Sequence, residues 1–237
     1  MTSIKTLLAG TAIAICAAGS ASASILIDDF STASDAIFDA DVPFTPVDSS
    51  LGSQTQTLPS GIERTISYDD NDPAFPGFGN VTAILDDPAD GDRWEFSNGS
   101  GVNGTATLAY AFGLSGIDLS SESAFRFGTV NSAQTGFDFS LEATVEDLLG
   151  IEVSTTLTFD ENDVGSALTA SFSEFTGIDF AQVSGLTLTL SGDKPAGEAS
   201  ISGSIAAVPV PAALPLGALA LGGLGLYARR QRRAAQG

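Results

Sequence analysis

Phe137-Asp-Phe-Ser-Leu-Glu-Ala-Thr-Val145 and Ile151-Glu-Val-Ser-Thr-Thr-Leu-Thr-Phe159 are the two stretches that decide the fold. Apolar and polar residues alternate along both, and this period of two is typical of strands buried on one side. Residues 148–150 lie between them and predict a three-residue hairpin loop with Gly150 in the left-handed region. The two stretches are therefore predicted to pair as an antiparallel hairpin.

The register of this hairpin follows from the loop. It places Val145 opposite Val153 and Phe139 opposite Phe159 on the inward face, and it sets two acidic pairs on the outward face, Glu146 with Glu152 and Asp138 with Asp160. Like charges directly across a ladder repel each other by a few tenths of a kcal/mol or more. Either a bridging Ca²⁺ ion relieves this repulsion, or the carboxylates spread into solvent and are screened by salt. We expect no obligatory cofactor, with Ca²⁺ bound by these four residues as the open alternative.

Strand patterns recur outside the hairpin. Gly, Asp, Asn, Ser and Pro separate apolar segments at residues 25–30, 62–68, 81–85, 93–96, 105–112, 124–130, 168–172, 186–190 and 199–206. No internal segment has helical periodicity, so the sequence predicts an all-β fold, a β-sandwich of about ten or eleven strands. The polar residues 31–60 are predicted to form a long surface excursion. The sandwich is expected to occupy residues 24–207.

The charge of the chain is distributed unevenly. All 29 acidic residues lie between Asp28 and Glu198, where there are four cations, so this body carries a net charge of −25. Such a charge excludes nucleic acid and anionic lipid headgroups as partners of the body. It also attracts divalent cations and favours solubility.

The first residues of the chain have the pattern of a secretory signal peptide. Lys5 precedes an apolar run, and small residues end at Ala23, so cleavage is expected there and residues 1–23 are predicted to be removed. Cys16 follows Ile15 rather than a small residue, so it belongs to the apolar run and not to a lipobox. The processed chain then contains no cysteine, which excludes disulfides and thiolate chemistry.

The last thirty residues combine three features. Residues 208–212 form an extended proline motif made of Val208, Pro209, Val210, Pro211 and Ala212. Residues 212–228 are uncharged and would span about 26 Å as a helix at about 1.5 Å per residue, close to the hydrocarbon thickness of a bilayer. A basic cluster follows at Arg229, Arg230, Arg232 and Arg233, which places that end in the cytoplasm. Residues 208–237 therefore predict a single transmembrane helix, and a plain tail anchor is the simplest interpretation.

The order of these three features resembles the carboxyl-terminal sorting signal of PEP-CTERM proteins, most closely the VPLPA variant, with Val210 where that variant has leucine. The resemblance implies processing by an exosortase, a membrane-embedded cysteine protease of bacteria that make extracellular polysaccharide. It implies an inner-membrane precursor that is later released or attached at the cell surface. The motif lacks the glutamate of the Pro-Glu-Pro form.

A second resemblance concerns the body. The turn Gly116-Ile-Asp-Leu119, the hairpin, and the turn Phe172-Ser-Glu-Phe-Thr-Gly-Ile-Asp-Phe180 separate strands in an order that resembles the jelly roll of galactose-binding-like domains and related carbohydrate-binding modules. The resemblance implies a jelly-roll sandwich. Sugar binding does not follow from it, because fold and function separate freely.

Residues for catalysis are few. The chain contains no histidine, which removes the usual general base and imidazole metal sites. Only an acidic pair across a cleft could catalyse hydrolysis, as in glycosidases. The loops at residues 69–72 and 86–92 are rich in Asp but do not have EF-hand spacing. Trp94 and Tyr68 could stack on a sugar, although the alternation around Trp94 predicts an inward core residue.

Together these patterns predict a non-enzymatic exported protein of the bacterial surface or matrix, with a structural or adhesive role. Its expected partners are an exosortase-type enzyme and the membrane, and nucleic acid is not among them. The alternative function is a carbohydrate-binding module that acts on extracellular polysaccharide. A third class, an acidic glycanase, requires two carboxylates that face each other across a groove.

Overall fold

The computed structural model describes residues 24–33, 37–38, 53–70, 81–85, 92–98 and 104–209. The predicted signal peptide and most of the predicted sorting signal lie outside these ranges. So do most of the two Asp-rich loops, although Asp69 and Asp70 belong to β4 and Asp92 precedes β6. The strands are β1 (Ile25–Asp28), β2 (Ile37–Phe38), β3 (Ser53–Thr57), β4 (Glu63–Asp70), β5 (Val81–Leu85), β6 (Arg93–Ser97), β7 (Gly104–Ala111), β8 (Ala124–Ala133), β9 (Phe139–Asp147), β10 (Glu152–Phe159), β11 (Ala167–Ser171), β12 (Val183–Gly192) and β13 (Glu198–Val208).

Two antiparallel sheets contain these strands. Sheet A has the order β11-β8-β13-β6-β5-β2, with β1 also paired to β13, and sheet B has the order β10-β9-β12-β7-β4-β3. Their apolar faces share one core, in which Trp94, Phe125, Leu108 and Leu141 are almost completely buried. The predicted all-β sandwich is confirmed. The jelly-roll type remains a prediction.

The decisive hairpin forms with the predicted register. Val145 pairs with Val153 and Phe139 with Phe159, and the two phenylalanine rings stack with their centroids 5.5 Å apart. Gly150 has a φ of 76°, which is the left-handed conformation that the three-residue loop requires. Strand β9 begins at Phe139, two residues later than the alternation predicted, because Phe137 lies in the preceding turn.

The prediction for residues 31–60 is wrong in part, since this stretch contains two strands. The short β2 pairs with β5, and β3 pairs with β4 at the edge of sheet B. The sequence of β3, Ser-Gln-Thr-Gln-Thr, has no apolar face, so its pairing has no period-two hydrophobic signal. At the other end of the chain, β13 extends one residue past the predicted boundary and includes Val208. Within the described residues, no helix has the length and apolar composition needed to cross a membrane.

Candidate functional site

The outward face of sheet B is lined with hydroxyl groups. One row across the six strands consists of Ser154, Thr144, Thr187, Ala109, Thr65 and Thr55, in order from β10 to β3. A second row contains Thr156, Glu142, Thr189, Thr107, Ser67 and Ser53. We call this surface the hydroxyl face. Among the described residues it carries no aromatic and no basic side chain.

Neighbouring hydroxyls on this face bond to each other across strands. The side-chain oxygens of Thr55 and Thr65 lie 2.8 Å apart, and the same distance separates those of Thr144 and Ser154. A third pair joins Ser140 to Ser191, also at 2.8 Å. Because each hydroxyl is both a donor and an acceptor, these pairs keep hydrogen-bonding capacity toward a ligand.

A depression of about 260 Å³ opens at one end of the hydroxyl face. The row of cross-strand partners at this level of sheet B consists of Glu152, Glu146, Gly185, Ala111, Glu63 and Thr57. The floor is low because three outward positions of the two central strands there are the small residues Gly185, Ala111 and Ala109. Carboxylates stand on both sides, with Glu146 and Glu152 on one and Glu63 on the other.

The backbone does not require a glycine at position 185. Its φ is not in the left-handed region. An added Cβ would lie 3.4 Å from the carbonyl oxygen of Tyr110 and 3.5 Å from Oε2 of Glu146, which are ordinary contacts. The effect of glycine here is therefore to leave the floor of the depression open.

The four predicted cation ligands separate into two groups. Glu146 and Glu152 pair directly across β9 and β10 as predicted, and both line the depression. The ladder ends at Phe139 and Phe159, so Asp138 and Asp160 lie beyond it. The Asp160 carboxylate accepts a hydrogen bond from the Asn162 amide at 2.7 Å and caps the short 3₁₀ turn Glu161–Asp163. The described residues contain no group of three acidic side chains that could hold a metal ion, and Ca²⁺ binding remains a prediction.

Neither candidate aromatic forms an exposed platform. Trp94 is 1% exposed, and its indole nitrogen donates to the Thr82 hydroxyl at 2.8 Å, which confirms its prediction as a core residue. Tyr68 is half-buried, and its hydroxyl donates to Asn98 Oδ1 at 2.9 Å. Sugar stacking on these two rings is therefore not available.

The sorting motif is only partly described. Val208 is the last residue of β13, and its carbonyl accepts a hydrogen bond from the Ser123 amide at 2.9 Å. Pro209 follows directly. Val210, Pro211, Ala212 and the four arginines lie outside the described residues.

A buried ion pair beneath the hydroxyl face was not predicted. Arg64 Nη1 donates to Asp28 Oδ2 at 2.8 Å, and both side chains are almost fully buried. The hydroxyl of Tyr110 donates to the same oxygen at 2.9 Å. Burial first, and then the charge of Asp28, raise the pKa of Tyr110 well above its ordinary value. The sequence does contain a signal for it, because Arg64 has the same phase as the apolar Ile62 and Ile66 in their alternating segment.

No protein-family model matches the chain, and no curated protein matches it in sequence. Solved structures of similar shape include the family 11 carbohydrate-binding module of a cellulosomal cellulase from Clostridium thermocellum, with 12% identity, a TM-score of 0.37 and coverage of 78% of this chain and 95% of that one. The solution structure of CtCBM11 has 9% identity and a TM-score of 0.39, with 79% and 96% covered. An agarase, AgWH50C, has 12% identity and a TM-score of 0.38, with 78% of this chain but only 26% of that one covered. Similarity at this level carries no statement about what the present chain binds.

Proposed function

We propose that this is an exported, non-enzymatic protein of the cell surface or extracellular matrix, which binds neutral polysaccharide through the hydroxyl face. The observation that carries the proposal is the depression over Gly185, with carboxylates on two sides and hydroxyls around it. Sugars present rows of hydroxyl groups that both donate and accept hydrogen bonds. Carboxylates accept such bonds strongly, and Ser and Thr hydroxyls adapt to either role.

The chemistry of the depression limits the class of glycan. No lysine or arginine among the described residues lines it, and the body carries 29 acidic residues against four cations. Uronic acids and sulfated sugars would be repelled by this field. The shortage of stacking aromatics predicts weak binding per site, so useful retention on a polymer requires many contacts at once.

Export and membrane attachment rest on the amino-acid sequence. Residues 1–23 serve as the signal peptide, residues 212–228 cross the inner membrane in the precursor, and an exosortase-type enzyme processes the motif that begins at Val208. The fold is compatible with this arrangement, because Ile25 of β1 pairs with Ala207 of β13. Both chain ends therefore leave the sandwich from the same end.

A glycanase is the second candidate, since Glu63 and Glu146 face each other across the depression. Three strand spacings of about 4.8 Å put their backbones about 14 Å apart. Hydrolysis needs two carboxyl groups within about 5 to 9.5 Å and a site that excludes water. Both groups stand instead in an open depression, so we expect binding without cleavage.

Affinity electrophoresis of the full chain in mild detergent tests the proposal, with gels that contain neutral glucan, mannan or galactan, or alginate as the anionic comparison. We expect at least one neutral polysaccharide to retard the protein and alginate not to. Gly185→Val fills the floor and should abolish the retardation. Thr158→Val, on the same face but three rows from Gly185 and outside the depression, is the matched control and should leave the retardation intact.

Two outcomes would contradict the proposal. Equal retardation of the Gly185→Val variant would place binding elsewhere, and no retardation by any neutral polysaccharide would leave a purely structural role for the hydroxyl face. An assay for new reducing ends accompanies the gels. Their release by the parent protein, and its loss in Glu63→Gln, would instead establish a glycanase.

A further inference from the structure

Exposed aliphatic side chains concentrate at one end of the sandwich. We call it the terminal end, the end at which β7, β9 and β13 finish and β8, β10 and β12 begin. Of the six large aliphatic residues that are exposed among the described residues, five lie here, namely Leu26, Leu114, Leu148, Leu149 and Ile151. The sixth, Val164, lies at the opposite end.

Backbone contacts hold these residues together at the terminal end. The Leu148 amide donates to the Gln182 carbonyl at 2.9 Å, and the Ile117 amide donates to the Val183 carbonyl at 2.8 Å. The turn that carries Leu114 and the tip of the β9–β10 hairpin thus flank the same segment. Leu114 is fully exposed and Leu149 is 78% exposed.

The hairpin tip is ordered by a buried carboxylate. Asp147 accepts hydrogen bonds from the amides of Leu149 at 2.9 Å, Ile151 at 3.1 Å and Asp179 at 3.3 Å. Burial raises the pKa of Asp147, but these three bonds outweigh burial and hold the pKa below its ordinary value. The acidic group therefore faces inward, and the aliphatic side chains face out. A turn does not need leucine, since Gly, Asn, Asp or Ser would form it.

The connectivity of the chain indicates what covers this surface. Pro209 follows the last residue of β13, and the apolar stretch begins only three positions later, at Ala212. Even fully extended, the four residue steps from Val208 to Ala212 reach about 14 Å. A bilayer that holds residues 212–228 must therefore lie within this distance of the terminal end.

From this geometry we propose that the terminal end docks on the bilayer surface, with Leu114, Leu148, Leu149 and Ile151 inserted among the lipid headgroups. The proposal rests on the membrane attachment described above, but not on polysaccharide binding. Clustered exposed aliphatics mark such contact surfaces. The acidic body favours zwitterionic over anionic headgroups. Docking would orient the sandwich with its strands pointing away from the membrane.

Lipid quenching of a fluorescent label tests the docking. Single cysteines replace Leu114, Leu149 or, as a control at the opposite end, Thr135, each in a full chain with Cys16→Ala. An NBD label is attached, and the protein is reconstituted in phosphatidylcholine vesicles with or without headgroup-nitroxide lipid. Labels at 114 and 149 should shift to the blue and lose emission to the nitroxide, whereas the label at 135 should do neither. Vesicles with added phosphatidylglycerol should weaken both effects.

Flotation of the same samples distinguishes membrane attachment of the chain from docking of the terminal end. If the protein floats with the vesicles while all three labels remain unquenched, the membrane anchor is supported and the docking is contradicted. Protein that does not float would overturn both. Rapid disulfide cross-linking between unlabelled Leu149→Cys chains, without quenching, would show that a second copy covers this end and would also overturn docking. Trp94 emission verifies that each variant is folded.

Discussion

At the scale of single residues, the ion pair of Arg64 and Asp28 joins distant parts of the chain. Arg64 lies on β4 and Asp28 on β1, and Arg64 Nη2 also donates to the Thr32 carbonyl at 2.5 Å and to Gln56 Oε1 at 2.6 Å. A buried pair adds little net stability compared with apolar residues, but loss of one partner is costly. The pair therefore fixes the N-terminal strand in place.

Arg64→Met should lower the free energy of unfolding by about 3 to 5 kcal/mol, because the Asp28 carboxylate would be left buried without an opposite charge. Urea denaturation of the full chain in mild detergent measures it, with the buried Trp94, the single tryptophan of the chain, as the reporter. Arg126→Met is the control. Arg126 is exposed, so this change should stay within about 0.5 kcal/mol. A cost below about 1 kcal/mol for Arg64→Met would be inconsistent with a pair shielded from water.

The Tyr110 hydroxyl gives the same network a pH dependence. Its folded pKa is raised, so the contribution to stability is complete below the unfolded pKa of about 10 and is lost as the pH rises through the folded value. Tyr110→Phe should remove this part of the loss of stability at alkaline pH. At neutral pH it should cost about 1.5 to 3 kcal/mol, since a hydrogen bond to a carboxylate disappears. Denaturation midpoints between neutral pH and pH 11 measure both effects.

At the scale of elements, the β9–β10 hairpin contributes side chains to both faces of sheet B. Its inward side supplies Phe139, Leu141 and Val145 to the core, all at most 1% exposed. Its outward side supplies Glu146 and Glu152 to the depression. Because side chains alternate with a period of two, a slip of one residue would exchange the two sides. The core therefore also sets the position of the acidic pair.

Phe139→Ala should cost about 3 to 5 kcal/mol, because it removes a buried ring that stacks on Phe159. Glu146→Gln, on the outward side of the same strand, should be neutral or slightly stabilising, since it relieves the repulsion from Glu152. Urea denaturation with and without Ca²⁺ measures both variants. If Glu146→Gln destabilised the protein only in the presence of Ca²⁺, the acidic pair would be a metal site.

At the scale of the whole molecule, the body and the chain ends have opposite characters. The body carries strong negative charge, while the C-terminal residues are apolar and then basic. β1 and β13 pair side by side, so that the predicted signal peptide and sorting signal are both connected to the terminal end. The depression that we propose binds polysaccharide opens on the hydroxyl face at this same end, because its row joins Glu152 at the start of β10 to Gly185 near the start of β12. The proposed docking and the proposed polysaccharide binding are therefore expected to compete in the precursor.

Replacement of Pro209 and Pro211 by alanine should cause uncleaved precursor to accumulate in the inner membrane. The change lets a membrane helix extend backwards and removes the extended conformation that a protease needs. Immunoblotting of membrane and released fractions measures the mature mass and location. Pro195→Ala, in the exposed turn between β12 and β13, is the control. Unchanged mass and location in the double variant would remove the main support for sorting.

The amino-acid sequence by itself determined the strands with an apolar face and the register of the main hairpin. It did so because a period-two pattern fixes the face of each residue and Gly150 fixes the loop. The same logic placed Trp94 in the core. It failed for β3, whose residues are all polar and whose pairing depends on the edge that β4 offers.

Only the tertiary structure decided which outward residues become neighbours. Glu63, Gly185 and Glu146 come from three strands far apart in the sequence, and the order β9-β12-β7-β4 brings them into one row. The pairing of Arg64 with Asp28 likewise joins β4 to β1. Local alternation carries no information about strand order, because this order is set by the joint burial of both sheets in one core.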